Sequence, residues 1–115
     1  MGLRKEKVAV GAIILGTYYF TTGEKYVGDW VDDMMQGKGS VYLNDGSRYQ
    51  GDFHRSVMHG SGKFFYPNKE MYDGEWVNNT RTGRGVYTYK NMAKYDGEWV
   101  NNKREGLGME KTLIE

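Results

Sequence analysis

The sequence predicts an all-β chain: an elongated, single-layer antiparallel meander of stacked β-hairpins, about four and a half units long. Three observations carry this. Five residue columns recur at a 23-residue spacing. Glycine reaches 17 of 115 residues and aromatics 15%. Within each recurrence the side chains alternate with period two, which is the mark of a strand. That much glycine argues against helices, where each interior glycine costs about 1 kcal/mol.

The columns are Tyr26, Tyr49, Tyr72 and Tyr95; Gly28, Gly51, Gly74 and Gly97; then Trp30, Phe53, Trp76 and Trp99. Two further glycine columns follow: Gly37, Gly60, Gly83, Gly106, and Gly39, Gly62, Gly85, Gly108. One period earlier stand Gly16, Tyr19 and Gly23, in register with Gly39, Tyr42 and Gly46. The predicted organisation is a capping segment 1–15, a half repeat 16–25, and four repeats at 26–48, 49–71, 72–94 and 95–115.

Each repeat reads as one hairpin. In Tyr72-Asp73-Gly74-Glu75-Trp76-Val77 the rings and the glycine share a face. Asn78-Asn79 ends the strand, as Asn101-Asn102 and Asp32-Asp33 do in their units, because these residues tolerate left-handed backbone. Gly83 to Tyr89 is the return strand, rich in aromatic and β-branched residues. Asn44-Asp45-Gly46, Pro67-Asn68-Lys69 and Asn91-Met92 turn the chain into the next unit. The glycine columns imply rings lying flat across neighbouring glycines, a packing that supports β-pairs. No sealed core is expected. At about 4.8 Å per strand the repeats span roughly 40–45 Å. The opposite face carries Asp29, Asp52, Glu75 and Glu98, with Lys38, Lys63 and Arg84 as possible cross-strand partners. It reads as a solvated face.

Composition narrows function. The chain has no cysteine, which removes disulfides, thiolate metal sites and thiol nucleophiles. The net charge is +1, and by segment it runs +2 for 1–25, −2 for 26–48, +1 for 49–71, +2 for 72–94 and −2 for 95–115. Neither a nucleic-acid footprint nor a lipid-docking basic cluster emerges from that alternation. His54 and His59 fall in the loop half of the second unit, and no column supplies further metal ligands. The acids are dispersed, and Gly-x-Gly is not followed by a helix, so neither paired-carboxylate catalysis nor a phosphate cradle is expected. No catalytic residue, metal or cofactor is predicted. The basic start and the apolar run Val8–Leu15 resemble a short signal peptide, but cleavage there would cut into the half repeat. Myristoylation at Gly2 is disfavoured by Glu6. The lone Gly11 is given no role.

The pattern Tyr-x-Gly-x-Trp followed by Gly-x-Gly, at this pitch, resembles the MORN repeat (membrane occupation and recognition nexus). Tyr72–Trp76 and Tyr95–Arg104 carry the resemblance most fully. Phe53 departs from it in the Trp column, and Lys69-Glu70-Met71 stands where Asp-Gly is common. The resemblance implies a hairpin array without catalysis of its own, serving as a scaffold in cytoskeletal, ciliary (axonemal, radial-spoke) or membrane-junction settings, or beside lipid kinases. The function expected is an adaptor holding a protein partner along an aromatic trough of Tyr26, Trp30, Tyr49, Phe53, Tyr72, Trp76, Tyr95 and Trp99. A helix in the trough and a strand added to an open sheet edge are the natural modes, and open edges also permit homo-oligomers. The alternative is a peripheral module for anionic phospholipid. A choline-binding type of wall-binding array differs in pitch and ring order.

Overall fold

A computed structural model describes residues 3–10 and 13–111, with side chains from Gly16 to Gly106. The fold is all-β, as expected. Among the described residues ten strands pair in chain order in one antiparallel sheet. They are β1 (Leu3–Val10), β2 (Ile13–Phe20), β3 (Lys25–Val31), β4 (Met34–Tyr42), β5 (Arg48–His54), β6 (Val57–Phe65), β7 (Met71–Val77), β8 (Thr80–Thr88), β9 (Lys94–Val100) and β10 (Lys103–Lys111). The sheet measures 49 × 23 × 23 Å. It is longer than the repeats alone predict because β1 adds a strand at the first edge. Strand β2 crosses the expected boundary at 15/16, since its pairing with β1 starts at Ile13. Gly2 and Gly11 lie outside the described residues.

Two kinds of turn alternate. Within units, Asp32-Asp33, Asn78-Asn79 and Asn101-Asn102 all have φ between 47 and 70°. Two consecutive left-handed residues match the twist of the flanking strands. Arg55-Ser56 adopts the same turn with φ of 48 and 66°, although neither residue favours it. Between units a wider loop forms, closed by bonds such as Leu43 N–H to Ser47 O and Gly46 N–H to Leu43 O. Asp45, Asn68 and Asn91 each accept the amide two residues on, at 2.8–3.0 Å. The left-handed position of this loop is Gly23, Gly46, Lys69 and Met92 in successive units.

That last column gives a direct test. Met92 holds φ +73° with a 58% exposed side chain, so it has little packing to lose. Left-handed backbone costs a non-glycine residue about 1–2 kcal/mol. Met92→Gly is therefore expected to raise stability by about 0.5–1 kcal/mol after glycine's own entropy cost. A urea melt checks this; an unchanged or lowered midpoint would contradict it.

Each unit also grips the one before it. Asn79 N–H donates to Met58 O at 2.9 Å, and Met58 N–H donates to Asn79 Oδ1 at 2.8 Å. Asn102 holds Arg81 in the same way, and Ser56 holds Met35 through its hydroxyl. The first turn residue adds a third bond. Arg55, Asn78 and Asn101 donate their amides to Gln36 Oε1, His59 Nδ1 and Thr82 Oγ1. This clasp explains the Arg55-Ser56 turn: contacts to the preceding unit override local preference.

Candidate functional site: an aromatic face over a glycine floor

The rings sit on one face, as the alternation requires, but they are not an open stripe. Tyr26, Trp30, Tyr49, Phe53, Tyr72, Trp76, Tyr95 and Trp99 are 0–5% exposed, and Tyr18 joins them at 0%. The expectation of no sealed core is thus corrected. Tyr49 and Tyr72 each make an edge contact with the large ring of their own unit and with that of the next. Tyr49 meets Phe53 at 5.1 Å and Trp76 at 5.4 Å; Tyr72 meets Trp76 and Trp99, both at 5.2 Å. One-ring-wide burial runs along the sheet because consecutive units close over each other's rings.

The three glycine columns answer to three separate constraints. At Gly39, Gly62 and Gly85 a Cβ would run into the ring of Tyr26, Tyr49 or Tyr72. The predicted ring-over-glycine packing is therefore present. At Gly28, Gly51 and Gly74 a Cβ would strike the backbone of the facing glycine. At Gly37, Gly60 and Gly83 φ is +82 to +111°, inside a bulge where β4, β6 and β8 carry extra residues against their partners.

Polar groups finish the core. The hydroxyls of Tyr26, Tyr49 and Tyr72 donate to the carbonyls of Asp29, Asp52 and Glu75 at 2.6–2.8 Å. Trp76 and Trp99 donate their indole N–H to Gly62 O and Gly85 O, each at 3.1 Å. Burial pushes the Tyr72 hydroxyl up to about 12 and raises those of Tyr26, Tyr49 and Tyr66 as well. Burial also raises that of Tyr87, helped by the Glu70 carboxylate that accepts its proton at 2.7 Å.

The acid column also has a more specific role than a solvated face. Asp29, Asp52 and Glu75 turn over the neighbouring bulge and accept the amides of Lys38, Ser61 and Arg84, at 3.3, 3.0 and 2.6 Å. Of the proposed cross-strand partners, Lys38 pairs with Asp52, and Arg84 reaches Glu98 at 3.7 Å and Asp96 at 3.3 Å. Lys63 stands opposite Asp73. For Asp52, burial works upward, but the bonds from Lys38 and the Ser61 amide outweigh it and hold the carboxyl below its usual range. The histidines need correction too. His54 and His59 are strand residues of β5 and β6 with rings 5.7 Å apart. His59 Nδ1 accepts an amide and His54 Nδ1 meets Gln36 Nε2 at 3.2 Å. No group of three metal-ligating side chains occurs among the described residues.

Repeat-family comparison decides the lineage. The family described as MORN repeat matches residues 26–48, 49–71, 72–91 and 95–111, well over half the chain. The chain belongs to the MORN-repeat family. Comparison with individual curated proteins gives no match. MORN repeats are generally involved in protein or membrane binding, and proteins built from them are typically non-catalytic. No described helix is long and apolar enough to cross a membrane.

What this MORN array offers a partner is set by what its own packing leaves exposed. Beside the buried column, Phe64, Tyr66, Tyr87 and Tyr89 are only partly buried, and they contact one another at 4.6–5.7 Å. Met35, Val41 and Met58 extend the same partly buried row into the first two units. The opposite face holds a shallow groove of about 550 Å³ bordered by Val27, Gln50, Lys63, Phe65 and Asp73. Sequence reasoning named the buried rings because they recur in every unit. It passed over the half-exposed ones because their two columns, Val41, Phe64, Tyr87 and Leu43, Tyr66, Tyr89, hold no ring in the first unit.

Proposed function

We propose that this chain is a non-catalytic adaptor that holds another protein along its aromatic trough. The eight buried rings from Tyr26 to Trp99 form the floor, and the half-buried rings form the surface that meets the partner. The observation that carries this reading is the contiguous row Phe64, Tyr66, Tyr87 and Tyr89 on one face only. Aromatic side chains with an apolar body and a polar tip are the usual anchors of protein interfaces. The cytoskeletal or ciliary setting rests on family resemblance alone.

Photo-crosslinking tests the face. A benzoylphenylalanine replacing Tyr66 or Tyr89 should yield a protein adduct in the source cell. The same group replacing Gln50 or Lys63 should not. Adducts from Gln50 and Lys63 alone would overturn the assignment. Salt-sensitive flotation with anionic vesicles, without any protein adduct, would favour the membrane reading instead.

A further inference from the structure

One column of the ring face changes chemistry along the array. The residue paired with the large ring is Met35 against Trp30 and Met58 against Phe53, then Arg81 against Trp76 and Arg104 against Trp99. Methionine satisfies the packing in the first two units, so the fold itself does not require a guanidinium there.

Arg81 is held with some precision. Its guanidinium lies 4.8 Å from the Trp99 ring centre and 5.6 Å from that of Tyr87, with Tyr72 and Tyr66 at 5.9 and 6.0 Å. Asn102 accepts from it twice, Nη2 to the backbone oxygen at 2.8 Å and Nε to Oδ1 at 3.4 Å. Arg104 donates to the Tyr89 hydroxyl at 2.8 Å and lies 4.3 Å over Tyr95. Beside them opens a groove of about 370 Å³ lined by Arg81, Tyr87, Tyr89, Trp99, Lys103 and Arg104. Among the described side chains no carboxylate lines it; Glu70, which accepts from the Tyr87 hydroxyl at 2.7 Å, lines the adjoining pocket. The described acids of β9, Asp96 and Glu98, instead engage Arg84 on the opposite face.

We propose that this groove takes an acidic segment of the protein partner. An aspartate or glutamate meets the Arg81 guanidinium on the edge that Asn102 does not occupy, and an adjacent aromatic or leucine side chain packs on Tyr87 and Tyr89. The proposal rests on the adaptor reading and gives its partner a chemistry. A planar guanidinium fixed by rings and an amide is suited to forked carboxylate recognition. Its orientation is already set before binding, which lowers the entropy cost of association. A peptide fits better than a bilayer. The groove has the volume of one or two side chains, and the ring face beyond it continues through uncharged Phe64, Met58, Val41 and Met35. An anionic membrane would meet this basic cluster at only one end of a 49 Å sheet.

Selection of a displayed random-peptide library on the whole chain tests this. Enriched peptides should pair Asp or Glu with an aromatic or leucine. Arg81→Met restores the residue type of positions 35 and 58, so it should keep the wild-type melting point while peptide affinity falls at least about tenfold, the loss of one charge-assisted contact. Absence of binders, binders without acidic residues, or equal affinity for Arg81→Met would each overturn the proposal. Neutral peptides that crosslink to position 66 or 89 and ignore Arg81 would overturn it while leaving the adaptor reading intact. Flotation with phosphatidylserine vesicles that depends on Arg81, with no acidic peptide selected, would assign the groove to a membrane instead.

Discussion

Gly74→Ala is expected to unfold the array or to cost it more than about 4 kcal/mol, the range reserved for changes that a fold cannot absorb. The added Cβ would meet the facing Gly85 backbone, with Arg84 O at 2.6 Å and the Tyr72 hydroxyl at 2.8 Å. Two of these obstacles are main chain, so no rotamer change relieves them. Separating β7 from β8 would break the ladder and lift Tyr72 off Gly85 at once. Gly46→Ala is the matched control. Its φ is +93° and nothing lies within 4 Å of the new atom, so the change costs only left-handed strain, about 1–2 kcal/mol. Paired urea melts decide the matter. Equal losses at the two positions would mean that close approach is not what the glycine columns serve.

The second large effect is alkaline unfolding. Tyrosines in an unfolded chain ionise near pH 10. In the fold, burial holds Tyr72 protonated to about 12 and raises Tyr26, Tyr49, Tyr66 and Tyr87 too. The folded state therefore binds more protons than the unfolded state above pH 10. Stability is full below that pH and falls as pH rises through the interval to about 12. Several rings titrate together, so the loss is steep. Tyrosinate absorbance of the buried rings should appear in step with loss of the β circular-dichroism signal. Ionisation of most tyrosines near pH 10 with the β signal intact would show that the rings are not sealed.

Much of this fold could be read from the sequence. The glycine and aromatic columns yielded the hairpins, the ring-over-glycine packing and the Asn-Asn turns, because each is a short-range constraint repeated in register. What escaped was set between units. Arg55-Ser56 carries no turn signature, and the clasp on Met35 and Gln36 imposes the conformation. The acids at 29, 52 and 75 alternate like solvent-facing residues, and only the bulge beside each gives it an amide to bind. The rings looked like an open stripe because their cover comes from the neighbouring unit. They are buried, so truncating Trp76 would report on folding before it reported on binding.

The turn-to-turn clasp has an evolutionary corollary. Met35, Met58 and Arg81 present the same pair of main-chain groups, and Ser56, Asn79 and Asn102 each answer with a backbone amide and a side-chain oxygen. The joints are interchangeable, so excising residues 49–71 would let Asn79 grasp Met35 with no new chemistry invented. Gene rearrangement by whole periods can thus lengthen or shorten the ruler freely, whereas a cut of any other size leaves mismatched ends.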